Sequence, residues 1–327
     1  RSPALRQGGL FAPISREGAL ILNNLFLATA VGAVLVGTLY PLLLDALTGT
    51  TISVGAPFFN FTFGALMAPL LLVLPFGPLL AWKRADLVAA GQRLMGFAAL
   101  AVFLAILISA LAGNSISLVP IGLLLGFWVT FGALAELFER SRLGRIPLAE
   151  SLRRLAGLPR SIWSTALGHM GLGLTVLGIV SVSAWETDLV TTLNPGETAE
   201  LAGYVIAFDS CEPVEGANYV ADAGVFTVTG PDGGVETLIP QRRTYVASGM
   251  PTTEAAIQTY GLSQLYLQLG EPLDETHVIR VWHKPYILLI WIGTLVMSAA
   301  GVLSLSDRRI RFGVPQASRK AKLETSR

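Results

Sequence analysis

Apolar residues in this chain gather into six long blocks, separated by short polar connections and by one polar stretch of about a hundred residues. The blocks are Gly18 to Leu44, Phe59 to Ala81, Leu94 to Ala112, Ile116 to Phe138, Ile162 to Ala184 and Tyr286 to Leu305. Each comes close to or exceeds the roughly 20 residues a helix needs to cross a hydrocarbon core, so the pattern predicts six transmembrane helices. Pro69, Pro75 and Pro78 fall in the second block, where the loss of backbone donors predicts a kink. Between Trp185 and Pro285 the period changes. Glu200 to Phe208, Val225 to Thr229, Val235 to Ile239, Arg243 to Ala247, Leu265 to Leu269 and Val278 to Trp282 are short runs rich in branched and aromatic residues, the signature of strands. Pro231-Asp232-Gly233-Gly234 reads as a hairpin turn, and Thr253 to Tyr260 as one short helix capped by Thr252. The predicted fold class is a polytopic α-helical membrane protein. A bundle of five spans over residues 1–184 precedes a small β-rich domain over 185–285, a last span over 286–305 and a basic tail over 306–327.

Composition agrees with this class: 52% of the 327 residues are hydrophobic and only 14% charged, far from a soluble domain. Nothing in it points to nucleic acid as a partner; membrane lipid is the expected surrounding. One cysteine, Cys211, excludes an internal disulfide and a CxxCH haem-attachment motif. The chain starts at an arginine and is read as part or product of a longer polypeptide.

The net charge of +1 conceals a strong segregation. Nineteen of the 23 Lys and Arg lie before the first span, in the second-to-third and fourth-to-fifth connections, or after the last span, whereas Asp45 to Phe58 and Gly113 to Ser115 have none. By the positive-inside rule both termini and the basic connections are cytoplasmic, which places Trp185 to Pro285 outside. That segment is acidic, with fourteen Asp and Glu against Arg242, Arg243, Arg280 and Lys284.

His169 is the candidate for chemistry. It sits inside the uncharged run Ile162 to Ala184, and an ionisable side chain at such a depth is costly unless it has a partner or a task. Gly168, Gly171, Thr175 and Gly178 recur nearby at helical spacing, a small-residue seam that lets another helix approach. Two readings stand: an imidazole satisfied by neighbouring hydroxyls or carbonyls, or an axial ligand to haem iron held between helices. The spans contain no second histidine, so the haem reading needs a ligand from elsewhere. His277 and His283 share one face of a predicted strand but lie about 20 Å apart along it, too far to bind one metal, so packing and separate ligation are the alternatives for each. Glu136 and Glu139, with Arg140 and Arg142, read as a snorkelling interfacial cluster. Cys211 is either an exposed reactive thiol or a small buried residue. The pair Arg242 and Arg243 either guides carboxylates, such as haem propionates, or forms a solvated strand edge.

Several stretches, taken together and in order, carry a resemblance. SREGALILNNLFLATAVGAVLVGTLYPL (Ser15 to Leu42), ISVGAPFFN (Ile52 to Asn60), GHMGLGLTVLGIVSVS in the fifth span, LAGYVIAFDS, GANYVADAGVF, PQRRTY, MPTTEAAI, LYLQLGE and KPYILLIWIGTLVM resemble the C-terminal half of the CcmF family, and the resemblance covers almost the whole chain. It implies a bacterial inner-membrane subunit of the System I cytochrome c haem lyase with a periplasmic domain. Such a subunit takes haem from the carrier CcmE and promotes its covalent attachment to CxxCH segments of apocytochrome c, alongside CcmH-type thiol-handling subunits. It also implies a haem b between two intramembrane histidines, of which His169 matches the second. The other ligand, two external histidines and a tryptophan-rich segment belong to the N-terminal half of CcmF and are not in this chain, and His277 and His283 do not match those external histidines. The chain by itself is therefore not expected to catalyse ligation. Two alternatives remain beside this reading: a paralogue serving nitrite reductase haem assembly, and a polytopic transporter component.

Overall fold

The structure, a computed structural model, describes residues 12–113, 117–273 and 276–307. Arg1, Arg6, most of the expected Gly113 to Ser115 connection, the expected start of a span at Ile116, and nearly all of the basic tail lie outside them. The chain forms two compact units, Arg1–Leu174 with Gly293–Arg327, and Thr175–Ile292.

The first unit is helical. Its elements are α1 (Arg16–Thr48), α2 (Ala56–Val73), a 3-10 turn (Leu74–Leu79), α3 (Leu87–Leu111), α4 (Val119–Ser141), α5 (Leu148–Ala156), and parts of α6 (Arg160–Trp185) and α7 (Leu288–Leu305). Six of these helices are long and apolar enough to cross a membrane, the second counted together with its 3-10 turn, and the chain is a multi-pass membrane protein. Ser15 caps α1 by accepting from the Gly18 amide at 3.1 Å, and Asp86 caps α3 by accepting from Val88 and Ala89. The Asp86 cap starts α3 seven residues before Leu94, so Arg93 lies in a helix rather than in a connection. α2 passes through Pro69 unbroken and gives way to the 3-10 turn only at Leu74, beside Pro75 and Pro78. α5 is a short amphipathic helix within the expected connection from Glu139 to Ser161; it is too short to register as an apolar block.

α4 is the most enclosed span, with 44% of its most apolar stretch buried against 6% for α1. Two small residues bring its neighbours close. A Cβ on Gly132 would overlap the Pro75 ring, and one on Gly173 of α6 would overlap the Thr130 hydroxyl of α4 and lie 2.9 Å from the Gly126 carbonyl oxygen. Trp128 donates from Nε1 to the Leu72 carbonyl at 2.8 Å, satisfying an acceptor where α2 loses its regular ladder.

Among the described residues, the second unit holds ten strands in two sheets. One runs β1 (Thr187–Leu193), β10 (Thr276–Lys284), β9 (Ser263–Leu273), β8 (Ala256–Tyr260). The other runs β2 (Thr198–Leu201), β3 (Tyr204–Glu215), β4 (Tyr219–Thr229), β6 (Gln241–Tyr245), β7 (Pro251–Glu254), with β5 (Val235–Leu238) also on β4. Alternate residues point inward, as period-two geometry demands: Ile206, Phe208, Phe226, Val228, Leu265, Leu267, Leu269, Ile279 and Val281 are all fully buried. Phe208 lies opposite Phe226, their rings stacked 4.7 Å apart.

Two sequence expectations fail here. Thr253 to Tyr260 is not a helix but the end of β7 followed by β8, because the ladder partners Gln241, Arg242, Leu267 and Tyr266 take its backbone groups. Glu200 to Phe208 is not one strand: Ala202 and Gly203 both adopt positive φ, +52° and +82°, and turn β2 back onto β3. Such a two-residue turn needs positive φ at both positions. The Pro231-Asp232-Gly233-Gly234 turn does join β4 to β5, with Thr229 opposite Val235.

Candidate functional site: an intramembrane histidine facing a cavity

His169 lies in the third turn of α6, one turn after Thr165, whose hydroxyl is occupied by the Ser161 carbonyl at 2.9 Å. Among the described residues the imidazole has no hydrogen-bond partner. It faces a cavity of about 260 Å³ within the first unit. α6 supplies Thr165 and His169 to its wall; α1 supplies Arg16, Ala19, Leu20 and Asn23; the end of α2 and the 3-10 turn supply apolar surface from Leu70 to Pro78. The volume is just below the 300–1,000 Å³ typical of a complete small-molecule site. A largely apolar cavity with an imidazole, one guanidinium and one amide suits a flat, largely apolar ligand with a metal centre and a polar edge, so the residues present fit one side of a haem.

The glycine seam beside His169 has a different task. A Cβ on Gly171 would lie 2.6 Å from the Gly293 carbonyl oxygen and 2.8 Å from Met297 of α7, and one on Gly178 would lie 2.8 Å from Ile290. The seam is thus filled by the last helix. His169 and Gly171 are two residues apart, about 200° round a helix, so the imidazole points elsewhere. The start of α6 is also tied to the end of α7, with Arg160 donating to the Ser306 carbonyl at 3.1 Å.

The structure does not gather the other sequence candidates around His169. His277 and His283 both lie on the inner face of their sheet in the second unit. His277 packs edge-on against Phe208, ring centres 5.5 Å apart, with a buried Nδ1 that has no partner among the described residues. His283 packs on Tyr204 at 5.7 Å, and its partial burial holds its pKa below the usual histidine value. Arg242 pairs with Glu271 at 3.3 Å; Arg243 pairs with Glu254 at 3.4 Å and lies over the Tyr219 ring at 4.5 Å. Both guanidinium groups are engaged inside the domain. Cys211 is half-buried in β3, and desolvation with Asp222 and Glu212 nearby pushes its thiol pKa up, the opposite of an activated thiol.

Glu136 departs from the expected snorkelling cluster. Its carboxylate is buried, only 2% exposed, and bonds Arg140 at 2.9 Å through Oε1, while Oε2 has no partner among the described residues. Glu139 pairs with exposed Arg145 at 2.8 Å, a residue outside the expected grouping with Arg140 and Arg142. The site residues that sequence reasoning missed are Arg16, Asn23 and Thr165. The seven-residue spacing of Arg16 and Asn23 puts them on one helix face, but only the tertiary structure sets that face across from His169.

Comparison with known proteins adds the family. Residues 184–285 match the CcmF C-terminal beta-sandwich family. The chain is 53% identical to the cytochrome c-type biogenesis protein CycK of Rhizobium meliloti over 98% of its own length and 48% of the relative's. To the cytochrome c-type biogenesis protein CcmF of Pseudomonas aeruginosa it is 36% identical, over 98% and 48% respectively. A solved structure of the cytochrome c heme lyase CcmF shares the fold, with a TM-score of 0.69 at 22% identity over 90% of this chain and 46% of that one. Spanning about half the length of the curated relatives it matches, the chain belongs to the CcmF family.

Proposed function

We propose that this chain is the C-terminal part of a cytochrome c haem lyase subunit of the bacterial inner membrane, and that His169 supplies one axial ligand to a haem b. The observation that carries the site assignment is an imidazole without a hydrogen-bond partner among the described residues, facing an apolar cavity inside the helical unit. Bound haem would supply a one-electron couple. His169 would hold the iron through a neutral ring nitrogen, and Leu70, Val73 and Leu74 would keep water from that face. The second ligand would come from the N-terminal half of CcmF, since the other two histidines of this chain pack inside the β domain. In this reading the β domain is periplasmic, free of metal of its own, and contacts the carrier CcmE, a CcmH-type subunit or apocytochrome c. The family membership supports those partners.

The test is optical and genetic. This chain is co-purified with an N-terminal half of the family, and its reduced-minus-oxidised spectrum is recorded beside a maturation assay for c-type cytochromes. A b-type signal is expected in the parent, lost or labile in His169→Ala, with partial recovery on adding imidazole. An unchanged bis-histidine spectrum with full maturation in His169→Ala would remove His169 from the site while leaving the family assignment standing. A colourless, folded parent complex would favour a transport or purely structural role.

A further inference from the structure

We infer that Arg16 is the anchor for a haem carboxylate: it fixes the orientation of the macrocycle in the His169 cavity by binding one propionate. The inference rests on the haem reading above and adds the polar end of the site. Arg16 opens α1, and its backbone is held in place from both sides. Its amide donates to the Ala81 carbonyl at 3.0 Å, and around it Ala12 donates to Lys83 at 2.8 Å and Ala85 to Ile14 at 3.0 Å. The side chain is positioned as well, with the guanidinium 5.0 Å from the centre of the Trp82 ring, where the ring face attracts it.

Among the described residues the guanidinium has no anionic partner. The neighbouring acid, Glu17, turns its Oε2 to the Lys83 amide at 2.8 Å. The guanidinium is half-buried on a largely apolar wall, and its planar fork matches a carboxylate in two-point contact. Seven residues on, and so on the same face of α1, Asn23 adds a second polar group to the wall, while Leu20 between them is apolar. A ligand that satisfies this wall has a metal for His169, an apolar body for Leu20, Leu70 and Val73, and a carboxylate for Arg16. Haem meets all three conditions. A lipid phosphate would satisfy Arg16 alone.

The experiment uses the complex of this chain with its N-terminal half, reconstituted with haem b or with haem b dimethyl ester, whose propionates carry no charge. The parent should bind haem about ten-fold or more tightly over the ester, the range of a charge-assisted hydrogen bond. Arg16→Gln should lose that preference, and Arg16→Lys should keep part of it, because a point charge replaces a fork. The midpoint potential of the haem that remains should fall in Arg16→Gln, since removing a nearby positive charge favours the ferric state. A variant that fails to fold lowers haem and ester binding alike and leaves the residual haem at the parent potential. That result, or an undiminished preference in Arg16→Gln, would overturn the inference and leave Arg16 a structural or lipid-phosphate role. Retention of the haem in His169→Ala would instead show that the underlying reading has failed.

Discussion

Gly171 and Gly293 touch backbone to backbone: a Cβ on Gly171 would come within 2.6 Å of the Gly293 carbonyl oxygen. Gly168, one turn earlier on α6, has room, since its Cβ would stand 3.9 Å from Ala300. The expected outcome is therefore opposite for two chemically identical changes. Gly171→Ala should destabilise the protein by about 1–3 kcal/mol through overpacking. Gly168→Ala should be neutral or slightly stabilising, by up to about 1 kcal/mol, through helix propensity. Thermal unfolding of the two variants in one detergent checks the contrast, and equal effects would mean that the α6–α7 approach is looser than described.

The ion pair of Glu136 and Arg140 is unequal. The Glu136 side chain is 3% exposed and that of Arg140 36%. Removing the arginine strands a buried carboxylate, whereas removing the glutamate leaves a cation that reaches polar surroundings. Arg140→Ala should cost on the order of 3–5 kcal/mol, and Glu136→Ala nearer 1 kcal/mol, discounted for exposure. The double variant should recover most of the difference. Chemical or thermal unfolding of all three variants reads this directly.

In the β domain, titration should affect stability at both ends of the pH scale. Burial against Tyr204 holds His283 below its ordinary value of 6.5 in the folded state, so the unfolded chain binds the extra proton first. The contribution of His283 is therefore full above about 6.5 and lost as pH falls below it. His283→Phe, which keeps the ring contact, should flatten that slope. Desolvation, with Glu236 next in effect, pushes Tyr260 up to about 12, so its contribution is present below the ordinary tyrosine value of 10 and lost as pH rises from there towards 12. In an absorbance titration of phenolate, Tyr260→Phe should remove the latest step.

Charge distribution predicts the orientation. Fusion of a phosphatase reporter, active only outside the cytoplasm, should be silent in the connection from Glu139 to Ser161 and active in the β domain. An active fusion in that connection would overturn the six-span arrangement with cytoplasmic ends.

Much of this protein is written locally, and those parts were legible in the sequence. The apolar blocks give the six long helices because a span must satisfy its backbone internally and hide every residue from water, a demand that leaves a continuous signal. Alternation gives most strands, and Pro231 to Gly234 gives its turn, since both depend on neighbouring residues alone. His169 stood out for the same reason, as one ionisable group in an apolar run. What the tertiary structure decided is which surfaces meet. Thr253 to Tyr260 has no strong local preference, and its conformation follows from pairing with the adjoining hairpin strands β6 and β9, whose backbones take up its hydrogen-bonding groups once the sheets form. The small-residue seam announced a close approach without naming its partner, and packing assigns it to α7. Glu136 and Arg140 read as an interfacial pair until burial of one side made them unequal. Arg16 is about 150 residues from His169, and no periodicity links them. They share a cavity because the 3-10 turn at Pro75 and Pro78, the face of α1 and the third turn of α6 converge, and convergence is a property of packing that a linear pattern does not contain.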